Sequence, residues 1–151
     1  MIYNSDNFTK TEELGLELAK SLKESGIRRA FIALFGEVGV GKTVFTRGFA
    51  SYFGIKGIKS PTYTIVNEHK SEGASIYHFD FYRIESEDDL LSIGYDEYLS
   101  KDGYVIAEWC EKIPEEIPQD AIYVKISRCS CDPEKRIIEI NREIENADAG
   151  V

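Results

Sequence analysis

Residues 30–43 of this 151-residue chain read AFIALFGEVGVGKT. The first six residues are a continuous apolar run, which is typical of a strand that is buried on both faces. Residues 36–43 match the spacing G-x-x-x-x-G-K-[S/T]. Its glycines let successive backbone N–H groups turn inward around an anion, and a helix that begins at Lys42 points its positive end at the same place. The stretch therefore predicts a nucleotide-phosphate cradle between a buried strand and a helix.

The positions of this P-loop have distinct expected parts in holding a nucleotide. We expect Lys42 to reach the β- and γ-phosphates and the Thr43 hydroxyl to ligate magnesium. The predicted cofactors are therefore ATP and Mg²⁺. The residues predicted to bind them in and beside the loop are Glu37, Val38, Gly39, Val40, Gly41, Lys42, Thr43 and Val44.

Strand and helix patterns alternate on either side of the loop. Leu14, Leu18 and Leu22 recur at helical spacing after Thr9–Glu12, which has the spacing of a capping box, and Gly26 is the expected end of that helix. Further helices are predicted over residues 43–53 and from residue 86. The predicted strands are 30–35, 63–69, 75–84, 104–107, 122–127 and 136–141.

These elements predict one α/β domain over residues 1–144, with residues 145–151 as a flexible C-terminal tail. The expected fold is P-loop NTPase-like: a mixed central sheet with parallel core strands, antiparallel hairpins and flanking helices.

Composition limits the classes of function. The chain carries 27 acidic and 18 basic residues, a net charge of −9, which disfavours a broad grip on a nucleic-acid backbone and predicts no direct contact with DNA. Its apolar runs are too short to cross a membrane, and its N-terminus lacks the pattern of a secretory signal. We expect a cytoplasmic protein. Cys110, Cys129 and Cys131 are expected as free thiols, with half of a zinc or redox site as the alternative for the last two.

Hydrolysis of ATP needs acidic groups for the magnesium ion and for water. In α/β sheets ligands lie at the carboxyl ends of strands, so acids at strand ends are the candidates. Glu108 ends the apolar run 104–107, and Asp80 lies in the alternating segment 77–80. We predict Asp80, Glu108 and Lys42 as catalytic residues, and Thr43, Glu108 and Asp80 as metal ligands. A solvated carboxylate is the alternative reading for each acid.

Other residues near these acids have two interpretations each. Trp109 follows Glu108, and its spacing favours a core position over a contact with the nucleotide. His78 shares a strand face with Asp80, and a structural role is favoured over a hydrogen bond to the site. Thr62 and Thr64 offer hydroxyls to a γ-phosphate, although most loop threonines have no such role.

Five motifs taken together resemble the bacterial TsaE (YjeE) family of tRNA-modification ATPases. They are TEELG at 11–15, the P-loop at 36–43, SPTYTIV at 60–66, HFDFYR at 78–83 and EWCEK at 108–112. The combination is far more specific than the P-loop alone, and the resemblance covers nearly the whole chain. Cys110 stands where the family often has proline.

The resemblance implies an ATPase required for threonylcarbamoyladenosine formation at the adenosine beside the tRNA anticodon. It implies TsaD and TsaB as partners that perform the transfer, with tRNA contacted only through them, while the ATP cycle resets the complex. It also implies that Thr43 and Glu108 hold magnesium, that Lys42 binds phosphate, that Asp80 assists hydrolysis and that Thr11 lies near the adenine.

Three alternatives follow from the P-loop itself. A small-molecule kinase shares the motif but usually needs an arginine-bearing lid, and the arginines here are dispersed. A GTPase needs Asn-Lys-x-Asp and Asp-x-x-Gly, and neither pattern occurs in the sequence. A nucleotide-gated binding module differs from an ATPase only in lacking turnover.

Overall fold

The computed structural model of the protein describes residues 1–61 and 65–142. The strands are β1 (Ile2–Ser5), β2 (Arg29–Phe35), β3 (Val66–Lys70), β4 (Ser75–Asp80), β5 (Gly103–Glu108), β6 (Ile122–Cys129) and β7 (Asp132–Arg142). The α-helices are α1 (Phe8–Glu24), α2 (Lys42–Ser51), α3 (Glu87–Ser92) and α4 (Tyr95–Ser100), and short 3-10 turns occupy Cys110–Lys112 and Pro114–Glu116. Among the described helices, none has the length and apolar character needed to cross a membrane.

The seven strands form one sheet in the order β1-β7-β6-β2-β5-β4-β3. Strand β2 pairs in parallel with both β5 and β6, and β4 pairs in parallel with β5. The outer pairs β3–β4, β6–β7 and β1–β7 are antiparallel. The predicted α/β class and mixed sheet with a parallel core are therefore confirmed.

The strand register brings the two predicted acids to one edge of the sheet. Leu34 of β2 pairs with Glu108 of β5, and Glu108 pairs in turn with Asp80 of β4. The P-loop leaves β2 at this same edge, because it follows Phe35 directly. The carboxyl ends of the parallel strands thus place the loop and both acids side by side.

Helices cover both faces of the sheet. On one face α1 and α2 enclose a core in which Phe45 and Phe49 of α2 are completely buried. On the other face Tyr95 of α4 packs edge-on against Phe79 and Phe81, with ring centroids 5.7 Å apart in each pair. Both faces of β2 and β5 are therefore buried from solvent, as their continuous apolar runs predict.

Several predicted boundaries differ from the structure. Helix α1 begins at Phe8, with Asn7 as its N-cap accepting a 3.0 Å hydrogen bond from the Lys10 N–H, so the capping box proposed at Thr9 is wrong. Strand β4 ends at Asp80, not at residue 84. The sequence pattern also fails to predict β1 and α4, because four and six residues are too few to show a periodic signal. The predicted tail, residues 145–151, lies outside the described residues.

The cysteine prediction is also corrected. Cys129 and Cys131 are joined as a disulfide at the turn between β6 and β7, where free thiols were expected. The hairpin turn brings their Cα atoms to 5.4 Å, which is within the range of disulfides. Cys110 is a free thiol, as expected, and it is buried.

Helices α1 and α2 touch backbone to backbone at two glycines. A Cβ atom on Gly48 would clash with the carbonyl oxygen of Glu12 and lie 2.7 Å from its carbonyl carbon. A Cβ atom on Gly15 would clash with the carbonyl oxygen of Phe45 and lie 3.0 Å from the amide nitrogen of Phe49. Because these neighbours are backbone atoms, no side-chain rotation relieves the overlap.

We predict that Gly48→Ala destabilises the protein. Helix propensity alone favours alanine over glycine by about 1 kcal/mol, whereas overpacking at this contact costs about 1–3 kcal/mol, so the free energy of unfolding should fall. Urea unfolding measures it. Gly73→Ala is the control, because a Cβ there meets nothing closer than 3.6 Å. A Gly48→Ala variant as stable as the unmodified protein would contradict the close helix contact.

Candidate functional site

The P-loop is the turn between β2 and α2. Gly39 and Gly41 have φ angles of +82° and +120°, in the region where a side chain is strained. Helix α2 begins at Lys42, with Gly41 as its N-cap and no capping side chain. The unsatisfied N–H groups of the first turn therefore open towards the loop, which is an arrangement suited to an anion.

A cavity of about 300 Å³ lies against this loop. The predicted site residues that line it are Val38, Gly39, Gly41, Lys42, Thr43, Val44, Asp80 and Glu108. Phe8, Ser60 and Trp109 complete the lining. A larger cavity of about 570 Å³ lies at the opposite edge of the sheet, beside Gly103 at the start of β5, and contains none of the predicted site residues. The smaller cavity is the candidate site because its lining contains the residues predicted to bind phosphate and metal.

A line of hydrogen bonds connects α2 to the two acid-bearing strands. The hydroxyls of Thr43 and Ser60 are 2.9 Å apart, and Ser60 donates to Glu108 Oε2 at 3.2 Å. The same carboxylate oxygen is 2.9 Å from His78 Nε2. If the Ser60 hydroxyl donates its hydrogen bond to Glu108, the Thr43 hydroxyl donates to Ser60, and the Thr43 oxygen keeps its lone pairs for a cation.

Glu108 is a buried carboxylate whose charge is stabilised by its neighbours. Its residue is 5% exposed, and burial alone would raise its pKa. The hydrogen bond and charge of His78, the charge of Lys42 and the Ser60 hydrogen bond outweigh burial and lower the pKa below its ordinary value. Glu108 is therefore an anion at neutral pH.

His78 has a closer connection to the site than the sequence favoured. It is completely buried, and its Nε2 contacts Glu108. Because an ionised carboxylate only accepts hydrogen bonds, Nε2 carries the proton. Nδ1 has no hydrogen-bond partner among the described residues. His78 thus orients Glu108, and the interpretation as a histidine satisfied within the core is corrected.

Asp80 has the opposite electrostatic setting. Burial raises the pKa of its carboxyl and the nearby Glu108 charge adds to this, while the Tyr82 N–H, His78 and Lys42 oppose it. The Tyr82 N–H donates to Asp80 Oδ1 at 3.0 Å. The net pKa is raised, so Asp80 takes up a proton more readily than Glu108. Neighbouring carboxylates with divergent pKa values are a recurrent feature of acid–base sites.

Trp109 belongs to the site, contrary to the core position that its spacing favoured. Its φ is +62°, and its ring centroid lies 4.7 Å from Lys42 Nζ and 5.0 Å from the Tyr82 ring centroid. This left-handed residue turns the chain immediately after β5, which brings the ring over the lysine. Sequence spacing carries no signal of that backbone turn.

Some predicted nucleotide contacts do not line the cavity. Thr11 is completely buried, and its hydroxyl shares a 2.8 Å hydrogen bond with that of Ser5. Val40 is also buried. The Glu37 side chain is 84% exposed and pairs with Arg128 at 3.0 Å. Their roles towards a nucleotide stay predictions.

Two arginines that the sequence did not single out contact the P-loop. Arg128 of β6 donates to the Glu37 carboxylate and, at 3.3 Å, to the Val38 carbonyl. Arg136 of β7 donates from Nε to the Val40 carbonyl at 3.0 Å. Because 91 and 96 residues separate Arg128 from Glu37 and Arg136 from Val40, local sequence carries no signal of these contacts.

The predicted magnesium ligands Thr43, Glu108 and Asp80 share the cavity. Within the described residues, no cluster of three or more His, Cys, Asp or Glu side chains is arranged to hold a metal alone. Magnesium at nucleotide sites needs only one or two carboxylates, since phosphates and water complete its shell. One hydroxyl and two carboxylates fit that requirement. Thr62 and Thr64 lie outside the described residues, so their suggested role stays a prediction.

Comparisons with known proteins agree on one family. A family model described as "Threonylcarbamoyl adenosine biosynthesis protein TsaE" matches residues 5–138. The tRNA threonylcarbamoyladenosine biosynthesis protein TsaE of Bacillus subtilis (strain 168) is 41% identical over 102 residues, covering 67% of this chain and 63% of that protein. The protein of the same name from Haemophilus influenzae is 36% identical over 126 residues, covering 82% and 79%.

The fold has a counterpart among solved structures. The crystal structure of Bacillus subtilis YdiB superposes with a TM-score of 0.76 and 26% identity, covering 98% of this chain and 95% of that chain. The match to the Bacillus subtilis TsaE sequence, by contrast, spans less than two thirds of that relative's length.

We predict that His78→Leu destabilises the protein by about 1.5–3 kcal/mol at pH 7, because the buried Glu108 carboxylate loses the closer of its two hydrogen-bond donors and keeps only Ser60. The lowered pKa of Glu108 stabilises the folded state above the unfolded pKa, and this contribution is lost as the pH falls through the folded value. The difference in unfolding free energy between the unmodified protein and the variant should therefore narrow as the pH falls below 4.5, the ordinary pKa of the group.

Urea unfolding at several pH values measures that gap. The double variant His78→Leu/Glu108→Gln is the control, since it lacks the Glu108 carboxylate. A gap that is constant with pH would show that His78 does not stabilise the ionised form of Glu108.

Proposed function

Since this chain belongs to the TsaE family of threonylcarbamoyl adenosine biosynthesis proteins, we propose that it binds and hydrolyses ATP with Mg²⁺ in that role. Family membership places the protein in tRNA threonylcarbamoyladenosine biosynthesis. The observation that carries the proposal is the cavity where the P-loop, Lys42 and the strand-end acids Asp80 and Glu108 meet. Among the residues that the structure describes, no comparable set favours another function.

Phosphate binding falls to the loop N–H groups and Lys42. The lysine is 6% exposed, and its ammonium lies over the Trp109 ring. A cation–π contact holds the ammonium in place without neutralising its charge, so the full charge remains for the phosphates. This is the electrostatic stabilisation that phosphoryl transfer chiefly needs.

Thr43 and Glu108 would hold the magnesium ion. The ion would neutralise charge that develops on the phosphate oxygens. The Thr43 oxygen has lone pairs for the ion when its hydroxyl donates a hydrogen bond to Ser60. His78 fixes the orientation of the Glu108 carboxylate through its 2.9 Å hydrogen bond to Oε2.

Asp80 is the group that we assign to the attacking water. It shares the cavity with Lys42 and Glu108. Its raised pKa makes it a better proton acceptor than Glu108, whose pKa is lowered. A general base works best when its pKa approaches the working pH, so the upward shift of Asp80 suits this role.

We propose that the protein acts on a TsaD–TsaB complex and does not transfer the threonylcarbamoyl group itself. The ATP cycle would reset that complex between turnovers. The net charge of −9 supports indirect contact with tRNA, because an acidic chain repels a phosphate backbone. The partners would then supply the RNA-binding surface.

We predict that two variants separate binding from turnover. Lys42→Ala should weaken ATP binding by more than about tenfold, since it removes a charged contact to phosphate. Glu108→Gln should slow hydrolysis by about a hundredfold or more while ATP affinity changes little, because it removes a metal ligand but keeps the side-chain shape. Calorimetry and phosphate release measure the two effects. Glu17→Gln, an exposed position of α1, is the control.

Unchanged ATP affinity in Lys42→Ala would contradict the phosphate site. Unaltered turnover in Glu108→Gln would show that Glu108 is structural. Thermal unfolding of each variant confirms that the fold is intact before the kinetics are compared.

Reconstitution tests the biological role. With TsaD, TsaB, tRNA and Mg-ATP, we expect the protein to raise the number of modified tRNAs per TsaD molecule, and we expect Lys42→Ala not to do so. ATP consumption without any phosphorylated small molecule is also expected. A phosphorylated acceptor would indicate a kinase, and full stimulation with a non-hydrolysable ATP analogue would indicate a nucleotide-gated binding module.

A further inference from the structure

Two arginine side chains of the β6–β7 hairpin donate hydrogen bonds to carbonyls of the P-loop. Arg128 Nη2 donates to the Val38 carbonyl at 3.3 Å, and Arg136 Nε donates to the Val40 carbonyl at 3.0 Å. A Cβ atom added to Gly39 would lie 3.4 Å from Arg128 Nη2, so this guanidinium lies directly against the loop. Both arginines therefore bind main-chain atoms of the cradle itself.

Because the peptide unit is planar, these two hydrogen bonds also fix the directions of the N–H groups that follow the bonded carbonyls. In a trans peptide the C=O of one residue and the N–H of the next point in opposite directions. A bond to the Val38 carbonyl therefore fixes the direction of the Gly39 N–H, and a bond to the Val40 carbonyl fixes that of the Gly41 N–H. Gly39 and Gly41 are the glycines that line the cavity.

We propose that Arg128 and Arg136 are positioning residues that orient the Gly39 and Gly41 N–H groups towards a bound phosphate. The inference rests on the proposed function, since it takes the loop as a phosphate cradle. It adds a mechanism by which the loop is preorganised, so that binding does not have to pay for turning the peptides.

Arg136 is the more rigid of the pair. It is 8% exposed, and its Nη1 donates to the carbonyls of Pro133 at 2.6 Å and Lys135 at 3.2 Å. Its guanidinium also lies 5.8 Å from the Phe8 ring centroid. Because several hydrogen bonds hold the planar guanidinium of Arg136, the direction of its Nε–H is fixed. The direction of the Val40 carbonyl that accepts from it is therefore fixed as well.

The pairing of two arginines destabilises the hairpin, and their contacts with the P-loop offset this destabilisation. Arg128 and Arg136 are directly opposite each other in the antiparallel β6–β7 pair. Like charges at such positions destabilise a hairpin. Each guanidinium instead finds acceptors on the P-loop, with the Glu37 carboxylate adding to those of Arg128. The hairpin is thus built to bind the loop.

The test must separate hydrogen-bond geometry from positive charge, because Arg128 also offsets the charge of Glu37. Arg128→Lys and Arg136→Lys keep the charge and lose the planar fork. We expect each to weaken binding of both ATP and inorganic tripolyphosphate by about tenfold, and by the same factor for the two ligands, since only phosphate contacts are lost.

Arg29→Lys is the matched control. Arg29 also donates to a backbone carbonyl, that of Ser100 at 3.1 Å, and lies 3.9 Å from the Asp102 carboxylate. Because it lies at the opposite edge of the sheet, at the start of β2, its substitution should leave both affinities unchanged.

Amide NMR of the labelled full chain distinguishes positioning from loss of structure. On adding tripolyphosphate, Arg128→Lys should reduce the shift of the Gly39 amide and spare that of Gly41, and Arg136→Lys should do the reverse. A damaged fold would instead alter amides throughout the chain. Arg128 is partly exposed, so its variant tests the proposal even if the buried Arg136→Lys does not fold.

Three results would overturn the inference. Full affinity in the lysine variants would show that charge alone matters. Weaker binding with unaltered Gly39 and Gly41 shifts would show that the arginines do not orient these amides. Lys42→Ala, measured in parallel, tests the premise: if it too leaves tripolyphosphate binding unchanged, the phosphate site itself is wrong, and the inference fails with it.

Discussion

The parallel register of β2, β5 and β4 is the constraint on which the site depends. It aligns Leu34, Glu108 and Asp80 in one row, at the edge from which the P-loop departs. A slip of one residue in β5 would turn Glu108 to the other face of the sheet, away from Ser60 and His78. Such a slip would bury a carboxylate without partners, which is strongly unfavourable. Glu108 therefore also favours the strand register that places it at this edge.

Local charge at the site opposes the charge of the whole chain. The protein is acidic overall, yet the loop is surrounded by Lys42, Arg128 and Arg136. At short range, a few fixed cations outweigh distant, screened carboxylates. Of these cations, Lys42 also helps Glu108 to remain ionised in spite of its burial, because it contributes with His78 and Ser60 to lowering the pKa of that carboxyl. In the proposed function, Lys42 thus stabilises both the bound phosphates and the acid beside it.

The predictable parts of the structure are those with a local signal. The strand–loop–helix unit around residues 30–43 and the strand ending at Glu108 are read from short apolar runs and glycine spacing. The contacts of Arg128 and Arg136 with the P-loop arise only in the folded sheet, where β6 and β7 come next to the loop. The position of Trp109 depends on one left-handed residue, and the Cys129–Cys131 disulfide depends on the tightness of a hairpin turn. None of these has a periodic pattern from which to infer it.

The sheet itself explains why distant arginines reach the loop. Strand β2 ends at Phe35, which pairs with Lys125, whereas β6 continues to Cys129. A Cβ atom on Gly36 would clash with Ile126 of β6, so the loop turns away from β2 while in contact with its neighbour. The next residues of β6 then have the P-loop beside them in place of a paired strand. Because side chains alternate along a strand, Arg128 lies two residues beyond Ile126 on the same face. Strand β6, which extends beyond the end of β2, thus supports the P-loop that follows β2.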